Sequence, residues 1–285
     1  MRHGKRTIFI SGIISVIMVL ALAGNVLAAK RAEMAYVEWA CATATAMVVK
    51  EALASEMDYT VDLTPVGAAA MWQALSTGDV DFITCAWLPV THGHYMDRVG
   101  DNVDDMGPAL EGARIGLVVP TYVDIDSMEE MNAHADKFNN EITGIDPGAG
   151  IMSRSEQAIE DYGMDDMDLM ESSDAMMTAV LGDKVTRDEW VVVTGWTPHW
   201  KFGQWDLKYL EDPKGVFGAE ETINKVARMG LENDKPDLYA FLENFYMEME
   251  DLQTVMAWAE DTGDPEGAAK RWVEENPDKV AAWIP

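Results

Sequence analysis

Three tryptophans, Trp39, Trp87 and Trp196, lie where a predicted β-strand runs into a loop. If the fold brings their rings together, they form an aromatic box. Each ring face then attracts a cation by about 0.5–1 kcal/mol when wet and about 2 kcal/mol when desolvated. A quaternary ammonium suits such a box because it has no N–H to donate. Residue type alone would assign all three to the core, and their shared position at strand ends favours a ligand site.

The segment 146–151 reads Asp-Pro-Gly-Ala-Gly-Ile and joins a predicted strand to a predicted helix. Glycines let the backbone approach a ligand closely, and unpaired N–H groups at a helix start attract an anion. No lysine follows in the phosphate-loop pattern, so a nucleotide is not indicated. We expect the N–H groups of Gly150 and Ile151 to bind a single carboxylate, with a plain turn as the alternative.

His92 follows Trp87 in the same predicted loop, and we expect its side chain to donate a hydrogen bond to that carboxylate. The alternative is a metal site in which His92 and His94 chelate, with His199 as a third ligand of a metal-dependent hydrolase. The sequence contains no Gly-x-Ser-x-Gly elbow and no familiar cysteine-nucleophile motif. We therefore expect no enzyme activity, no metal and no cofactor.

The N-terminus combines basic residues at positions 2–6, an apolar run from Ile8 to about Ala23, and small residues at 26–29. This series predicts a secretory signal peptide over residues 1–28, cleaved after Ala28. A membrane anchor is the alternative, since the run approaches the lower limit of about 17 residues for a spanning helix. The pattern predicts a protein secreted across the inner membrane.

The chain has 285 residues and a formal net charge of −29. Such an acidic surface repels nucleic acid and anionic lipid, so neither is an expected partner. The acidity fits a saline habitat and fits a soluble extracytoplasmic protein equally well. The length exceeds that of a single average core and suits two lobes.

The two cysteines flank two of the tryptophans: Cys41 follows Trp39 by two positions, and Cys85 precedes Trp87 by two. An oxidising compartment favours disulfides. If both tryptophans line one pocket, the sulfurs are neighbours as well. We hypothesise a Cys41–Cys85 disulfide, with two buried free thiols as the alternative.

Hydrophobic periodicity predicts strands over 34–40, 59–66 and 80–86, with helices over 44–56 and 68–76 between them. This βαβαβ order indicates a parallel sheet, in which ligands bind beyond the carboxyl ends of the strands. Further strands are predicted at 115–120, 141–145 and 190–194, a helix at 153–162, and a helical tail from about 211 through Trp283.

The sequence resembles the extracytoplasmic substrate-binding proteins of glycine betaine ABC importers. The resemblance covers nearly all of the chain after the predicted signal and rests on segments 36–40, 78–81, 87–92, 115–120, 144–151, 192–200 and 209–215. It implies an α/β bilobal clamshell with a two-crossover hinge and the helical tail packed on the first lobe. The implied lobes are 33–119 with 208–285, and 120–207.

The resemblance also implies a trimethylammonium among Trp39, Trp87 and Trp196, with the ligand carboxylate on Gly150, Ile151 and His92. The implied partner is an ABC permease in the inner membrane, and the protein itself would be a periplasmic monomer. Cys41 departs from the family, where we expect an acidic residue. Choline, carnitine and trimethylamine oxide are alternative ligands, whereas glycine betaine, proline betaine and dimethylsulfoniopropionate fit the predicted groups equally well.

Overall fold

The structure is a computed structural model that describes residues 30–285. The predicted signal peptide, residues 1–28, and the alternative anchor lie outside the described residues. Among residues 30–285, no helix is both long enough and apolar enough to span a bilayer.

The first lobe begins with the predicted alternation of strands and helices. Its elements are β1 (Lys30–Tyr36), α1 (Ala40–Met57), β2 (Tyr59–Pro65), α2 (Ala68–Thr77), β3 (Phe82–Leu88) and α3 (Gly93–Val99). β1 lies between β2 and β3 and pairs in parallel with both. The βαβαβ prediction is confirmed, and the carboxyl ends of these strands lie at one edge of the sheet.

The second lobe is built on a sheet that continues from a long strand, β4 (Val103–Pro120). The C-terminal half of β4 pairs antiparallel with β7 and β8. The elements of this lobe are β5 (Glu141–Thr143), α4 (Gly150–Tyr162), β6 (Asp168–Met170), α5 (Asp174–Thr186), β7 (Val193–Thr197), α6 (Lys201–Gln204) and β8 (Leu207–Tyr209). Short 3-10 turns cover Gly100–Asn102, Met128–Glu130 and Asn132–Phe138.

The expectation of a wholly helical tail is wrong, because the chain returns to the first lobe as a strand, β9 (Glu221–Arg228). β9 lies between β3 and β4 and is antiparallel to both. Its polar residues Glu221, Asn224 and Lys225 are buried. Each is hydrogen-bonded to a neighbouring segment, so the strand lacks the apolar–polar alternation by which it could be recognised.

The rest of the tail is helical and packs on the first lobe, as predicted. It consists of α7 (Leu231–Asp234), α8 (Pro236–Asn244), α9 (Met249–Thr262), α10 (Pro265–Glu275) and α11 (Pro277–Ala281). Three of these helices start on a proline, whose missing N–H is harmless in the first turn. α9 and α10 pack against α1. The chain thus crosses between the lobes twice, along β4 and between β8 and β9.

Candidate ligand-binding site

Trp39, Trp87 and Trp196 line one cavity between the two lobes. Each indole is buried, with exposed fractions of 6%, 2% and 3%. The ring centroids of Trp39 and Trp196 lie 6.4 Å apart, with an angle of 54° between the ring planes. Trp39 and Trp87 come from the first lobe and Trp196 from the second, so the rings converge across the cleft.

Trp39 lies at the N-terminus of α1. It is the N-cap residue, with an extended backbone at φ −92° and ψ 147°. Its indole Nε1 donates to the Asp146 carboxylate of the second lobe over 3.0 Å. Trp87 lies near the end of β3 and Trp196 near the end of β7, so each projects from its strand at the edge that faces the cleft.

The cavity is small, about 20 Å³ in volume. One ordered water needs roughly 10–15 Å³ measured in this way, so the rings stand close together. The walls must therefore move apart slightly to admit a group as large as a trimethylammonium. A hinge between two lobes permits that movement.

His92 lies behind the cavity wall, fully buried. Its Nδ1 accepts a hydrogen bond from the Trp87 backbone N–H over 3.1 Å, which assigns the proton of the neutral ring to Nε2. Burial, with a smaller contribution from nearby His94, lowers the pKa of His92 to about 3. The ring is therefore neutral at pH 7. Nε2 has no hydrogen-bond partner among residues 30–285, so it is a buried donor without an acceptor.

Gly150 and Ile151 form the first turn of α4 and line the same cavity. In the described chain, no side chain caps this helix. Its first N–H groups have no intrahelical acceptor and carry the positive end of the helix dipole. A Cβ at Gly150 would lie only 2.1 Å from the Thr91 carbonyl oxygen of the first lobe. Glycine at this position therefore lets the two lobes meet.

Two further hydrogen bonds join the lobes beside the cavity. Tyr95 donates from its hydroxyl to the Gly148 carbonyl over 2.8 Å, and Arg154 donates to the Val90 carbonyl over 3.1 Å. The lobes are thus in direct contact around the cavity, which defines a closed arrangement.

The two cysteines are free thiols in the structure, contrary to the hypothesised disulfide. Both are buried, Cys41 in the first turn of α1 and Cys85 on β3. Their side chains are neighbours, and a hydrogen bond with Cys41, together with burial, raises the pKa of Cys85 well above its usual value. The two buried thiols therefore lie next to each other, as the spacing of the cysteines and tryptophans predicted.

The three histidines of the alternative metal site take part in different interactions. His92 is held by Trp87, whereas His199 Nε2 contacts the Asp174 carboxylate at 2.9 Å. His94 packs on the Tyr95 ring, with centroids 4.0 Å apart. No group of three or more metal-ligating side chains with suitable geometry occurs within residues 30–285.

Sequence reasoning did not identify Thr91, Ile115 and Ile145, which also line the cavity. Thr91 lies next to His92 and Ile145 lies two residues beyond β5, so their positions gave a weak signal, whereas Ile115 lies inside β4, where it pairs with Trp196. Trp72 of α2 also lies beside the site. Its buried ring lies 6.0 Å from that of His92 and stacks on Tyr95, so it supports the histidine.

Fold and cavity together define a bilobal substrate-binding protein. The chain belongs to the family described as the substrate binding domain of ABC-type glycine betaine transport systems, whose sequence model matches residues 30–275.

Solved structures share this fold over most of the chain. Lactococcal OpuAC, in a closed-liganded conformation with glycine betaine, is 37% identical, with a TM-score of 0.86 over 90% of this chain and 100% of that one. The glycine/betaine/L-proline-binding protein ProX from Borrelia burgdorferi is 34% identical, with a TM-score of 0.87 over 90% of this chain and 97% of that one.

A curated relative is the glycine betaine/carnitine transport binding protein GbuC of Listeria monocytogenes. It is 49% identical over 150 residues, which make up 52% of this chain and 50% of GbuC. The match thus spans about half the length of that relative.

Proposed function

We propose that this protein binds glycine betaine, or a related zwitterion with a quaternary ammonium or sulfonium head and a carboxylate, and delivers it to an ABC permease. It would act outside the cytoplasm, in the periplasm, as a binding protein and not as an enzyme. The observation that carries the proposal is the convergence of Trp39, Trp87 and Trp196 from both lobes on one cavity.

The aromatic walls suit the cationic head. A trimethylammonium has diffuse charge and apolar methyl groups but no donor, so carboxylate ligands would gain little from it. Three desolvated rings at about 2 kcal/mol each favour it strongly. The indole N–H groups of Trp87 and Trp196 have no acceptor within the described chain, whereas the indole N–H of Trp39 is bonded to Asp146. Trp39 can therefore offer the ligand only its ring face.

Backbone and imidazole N–H groups at and behind the cavity wall suit a carboxylate. The N–H groups of Gly150 and Ile151 start α4, and the Nε2–H of His92 is a buried donor without an acceptor. A hydrogen bond to a charged acceptor contributes roughly 1.5–3 kcal/mol. With the rings, the gross attraction is on the order of 10 kcal/mol, from which association costs of several kcal/mol are subtracted. Micromolar binding, about −8 kcal/mol, therefore needs nearly all of these groups.

Ligand binding across the cleft would stabilise the closed form. We propose that residues 33–119 with 208–285 move as one lobe and residues 120–207 as the other. The three tryptophans that line the cavity come from both lobes, so the ligand has a higher affinity for the closed state than for the open one. A bound ligand therefore favours closure. A permease can then distinguish the closed, loaded protein from the open one.

The test is a calorimetric titration with glycine betaine, carnitine, proline betaine, dimethylsulfoniopropionate, choline and trimethylamine oxide. Ligands with a carboxylate should bind more tightly than choline and the oxide. Trp196→Ala should weaken glycine betaine binding by tenfold or more, because one desolvated ring contributes about 2 kcal/mol. Trp258→Ala is the matched control, since this half-buried indole lies on α9 under Arg271, away from the cavity. Unchanged affinity in Trp196→Ala would remove Trp196 from the site.

A further inference from the structure

The 18-residue helix α1 starts at the cleft without a cap from its own segment. Its N-cap residue, Trp39, makes no side-chain cap within residues 30–285, and its first turn carries no acidic residue. The acceptor comes from the other lobe: the Ala40 N–H donates to Asp174 Oδ2 over 2.8 Å. Asp174 is the first residue of α5, in the second lobe.

The Asp174 carboxylate is buried and fixed on its other side. Its Oδ1 accepts a hydrogen bond from His199 Nε2 over 2.9 Å. His199 Nδ1 in turn accepts from the Lys201 backbone N–H over 3.1 Å, which assigns the ring proton to Nε2. Burial would raise the pKa of Asp174, but His199, the Lys201 ammonium and the Ala40 N–H outweigh it and hold that pKa below its usual value. Asp174 is therefore an oriented, ionised acceptor.

This contact depends on the relative position of the lobes. His199, Lys201 and Asp174 all belong to the second lobe and stay together when the cleft opens. Ala40 belongs to the first lobe and would leave. Opening therefore separates a carboxylate from the positive end of a long helix, whereas closure brings them together. Ala40 and Asp174 are not among the residues that line the cavity.

We propose that Asp174 is a closure-stabilising residue, which raises ligand affinity by holding the N-terminus of α1 against the second lobe without touching the ligand. The identity of the ligand in this inference comes from the proposed function. The interaction itself joins two parts of this chain. Asp174 acts as a positioning residue, because its effect reaches the ligand through Trp39, which immediately precedes Ala40.

Two variants break the contact from opposite sides. Asp174→Asn keeps the shape but leaves one oxygen to serve two donors, Ala40 N–H and His199 Nε2–H. Ala40→Pro removes the donor at the first helical position, where proline is tolerated. The preceding residue, Trp39, already has the extended backbone that a following proline requires, so the cage tryptophan keeps its conformation. Asp183→Asn is the matched control, since Asp183 lies on the same helix and pairs with Arg187, the C-cap residue of that helix.

Calorimetry and stopped-flow tryptophan fluorescence with glycine betaine give the affinity and the dissociation rate. Each of the two variants should bind roughly tenfold more weakly, mainly through faster dissociation, as expected for the loss of one charge-assisted hydrogen bond. The double variant should be little worse than either single one, because both remove the same contact. Asp183→Asn should match the wild type. Wild-type affinity in Asp174→Asn, or fully additive losses in the double variant, would overturn the proposal.

Lobe separation gives a second measurement that needs no ligand. Spin labels on cysteines introduced at exposed Gln157 and Lys270 report the distance between the lobes. Asp174→Asn and Ala40→Pro should shift the distribution to longer distances, and an unchanged distribution would count against the contact. If the wild type fails to bind any of the zwitterions, the proposed function is wrong, and the distance measurement still decides the role of Asp174. A fall in thermal stability of ligand-free Asp174→Asn without a distance shift would indicate a purely structural residue.

Discussion

Two helices, α1 and α4, begin at the cleft with N-cap residues, Trp39 and Ala149, whose own side chains make no capping hydrogen bond within residues 30–285. Both direct the positive end of a helix dipole toward the opposite lobe. At α1 the protein itself supplies a carboxylate, Asp174, from the other side of the cleft. At α4 the first turn faces the cavity, and we propose that the ligand supplies the carboxylate. Closure and ligand binding therefore use the same kind of interaction at two places.

The largest expected effect concerns the close approach at α4. Gly150→Ala should weaken glycine betaine binding by a hundredfold or more, because its Cβ would lie 2.1 Å from the Thr91 carbonyl oxygen and prevent closure. Calorimetry gives the affinity, and thermal unfolding of the ligand-free protein should change little. Gly67→Ala at the start of α2 is the control, since no described atom lies within 4 Å of a Cβ there. Equal affinity in both variants would contradict the proposed approach.

The next effect separates the two ends of the ligand. His92→Phe removes the Nε2–H donor, so affinity for glycine betaine should fall about tenfold to a hundredfold, as for a lost hydrogen bond to a charged group of roughly 1.5–3 kcal/mol. Choline has the same cationic head but no carboxylate, so its affinity should change much less. Titrations of both ligands check the difference. An equal loss for choline would place His92 on the aromatic end of the site.

A smaller effect appears as a pH dependence of stability. Burial lowers the pKa of His92 to about 3 and that of His199 to about 4, whereas both should titrate near 6.5 in the unfolded chain. The unfolded state therefore binds more protons below pH 6.5. The contribution of the two neutral histidines to the free energy of unfolding is fully present above pH 6.5. It is lost as the pH falls through 4 toward 3. Urea unfolding at pH 7, 5 and 4 measures it.

His92→Gln should make that pH dependence shallower, because glutamine does not titrate. Asp174 contributes in the same direction, since its pKa also lies below the unfolded value. If the free energy of unfolding of the wild type increased as the pH fell from 6 to 4, the assignment of neutral histidines would be wrong.

The smallest expected effect concerns the two cysteines, Cys41 in the first turn of α1 and Cys85 on β3. Because Cys41 and Cys85 are free thiols in the structure, a reducing agent should leave the thermal unfolding temperature unchanged. A native disulfide typically contributes about 2–4 kcal/mol, so its reduction would lower that temperature visibly. Titration of the denatured, unreduced protein should find two thiols. A marked fall in unfolding temperature on reduction would restore the hypothesised bridge.

Local patterns predicted much of the fold. The first three strands and their connecting helices follow hydrophobic periodicity, α2 ends at its C-cap Gly78, and three tail helices begin at prolines. β9 was missed because buried, hydrogen-bonded Glu221, Asn224 and Lys225 hide its pattern. α1 begins at Ala40 instead of the predicted position 44, because Trp39 takes an extended backbone and the small residues that follow it can turn directly into the helix.

For the site, residue type and strand-end position were enough to select Trp39, Trp87, Trp196, His92, Gly150 and Ile151 as candidates. Their roles toward a ligand stay predictions. Thr91 had only a weak signal, its position next to His92, and Asp174 had none, since each matters through a partner far away in the chain. The Cβ clearance at Gly150 depends on Thr91, and the cap of α1 depends on Asp174.

The sequence by itself determined the available chemistry: indole faces for a cation, helix N–H groups and an imidazole for an anion, and a strongly acidic net charge. Tertiary structure alone decided which of these groups share a cavity, which tautomer His92 adopts, and which carboxylate caps α1. The physical reason is that these features are contacts between residues distant in the chain. Their energies depend on separation and burial, which residue types and spacing do not encode.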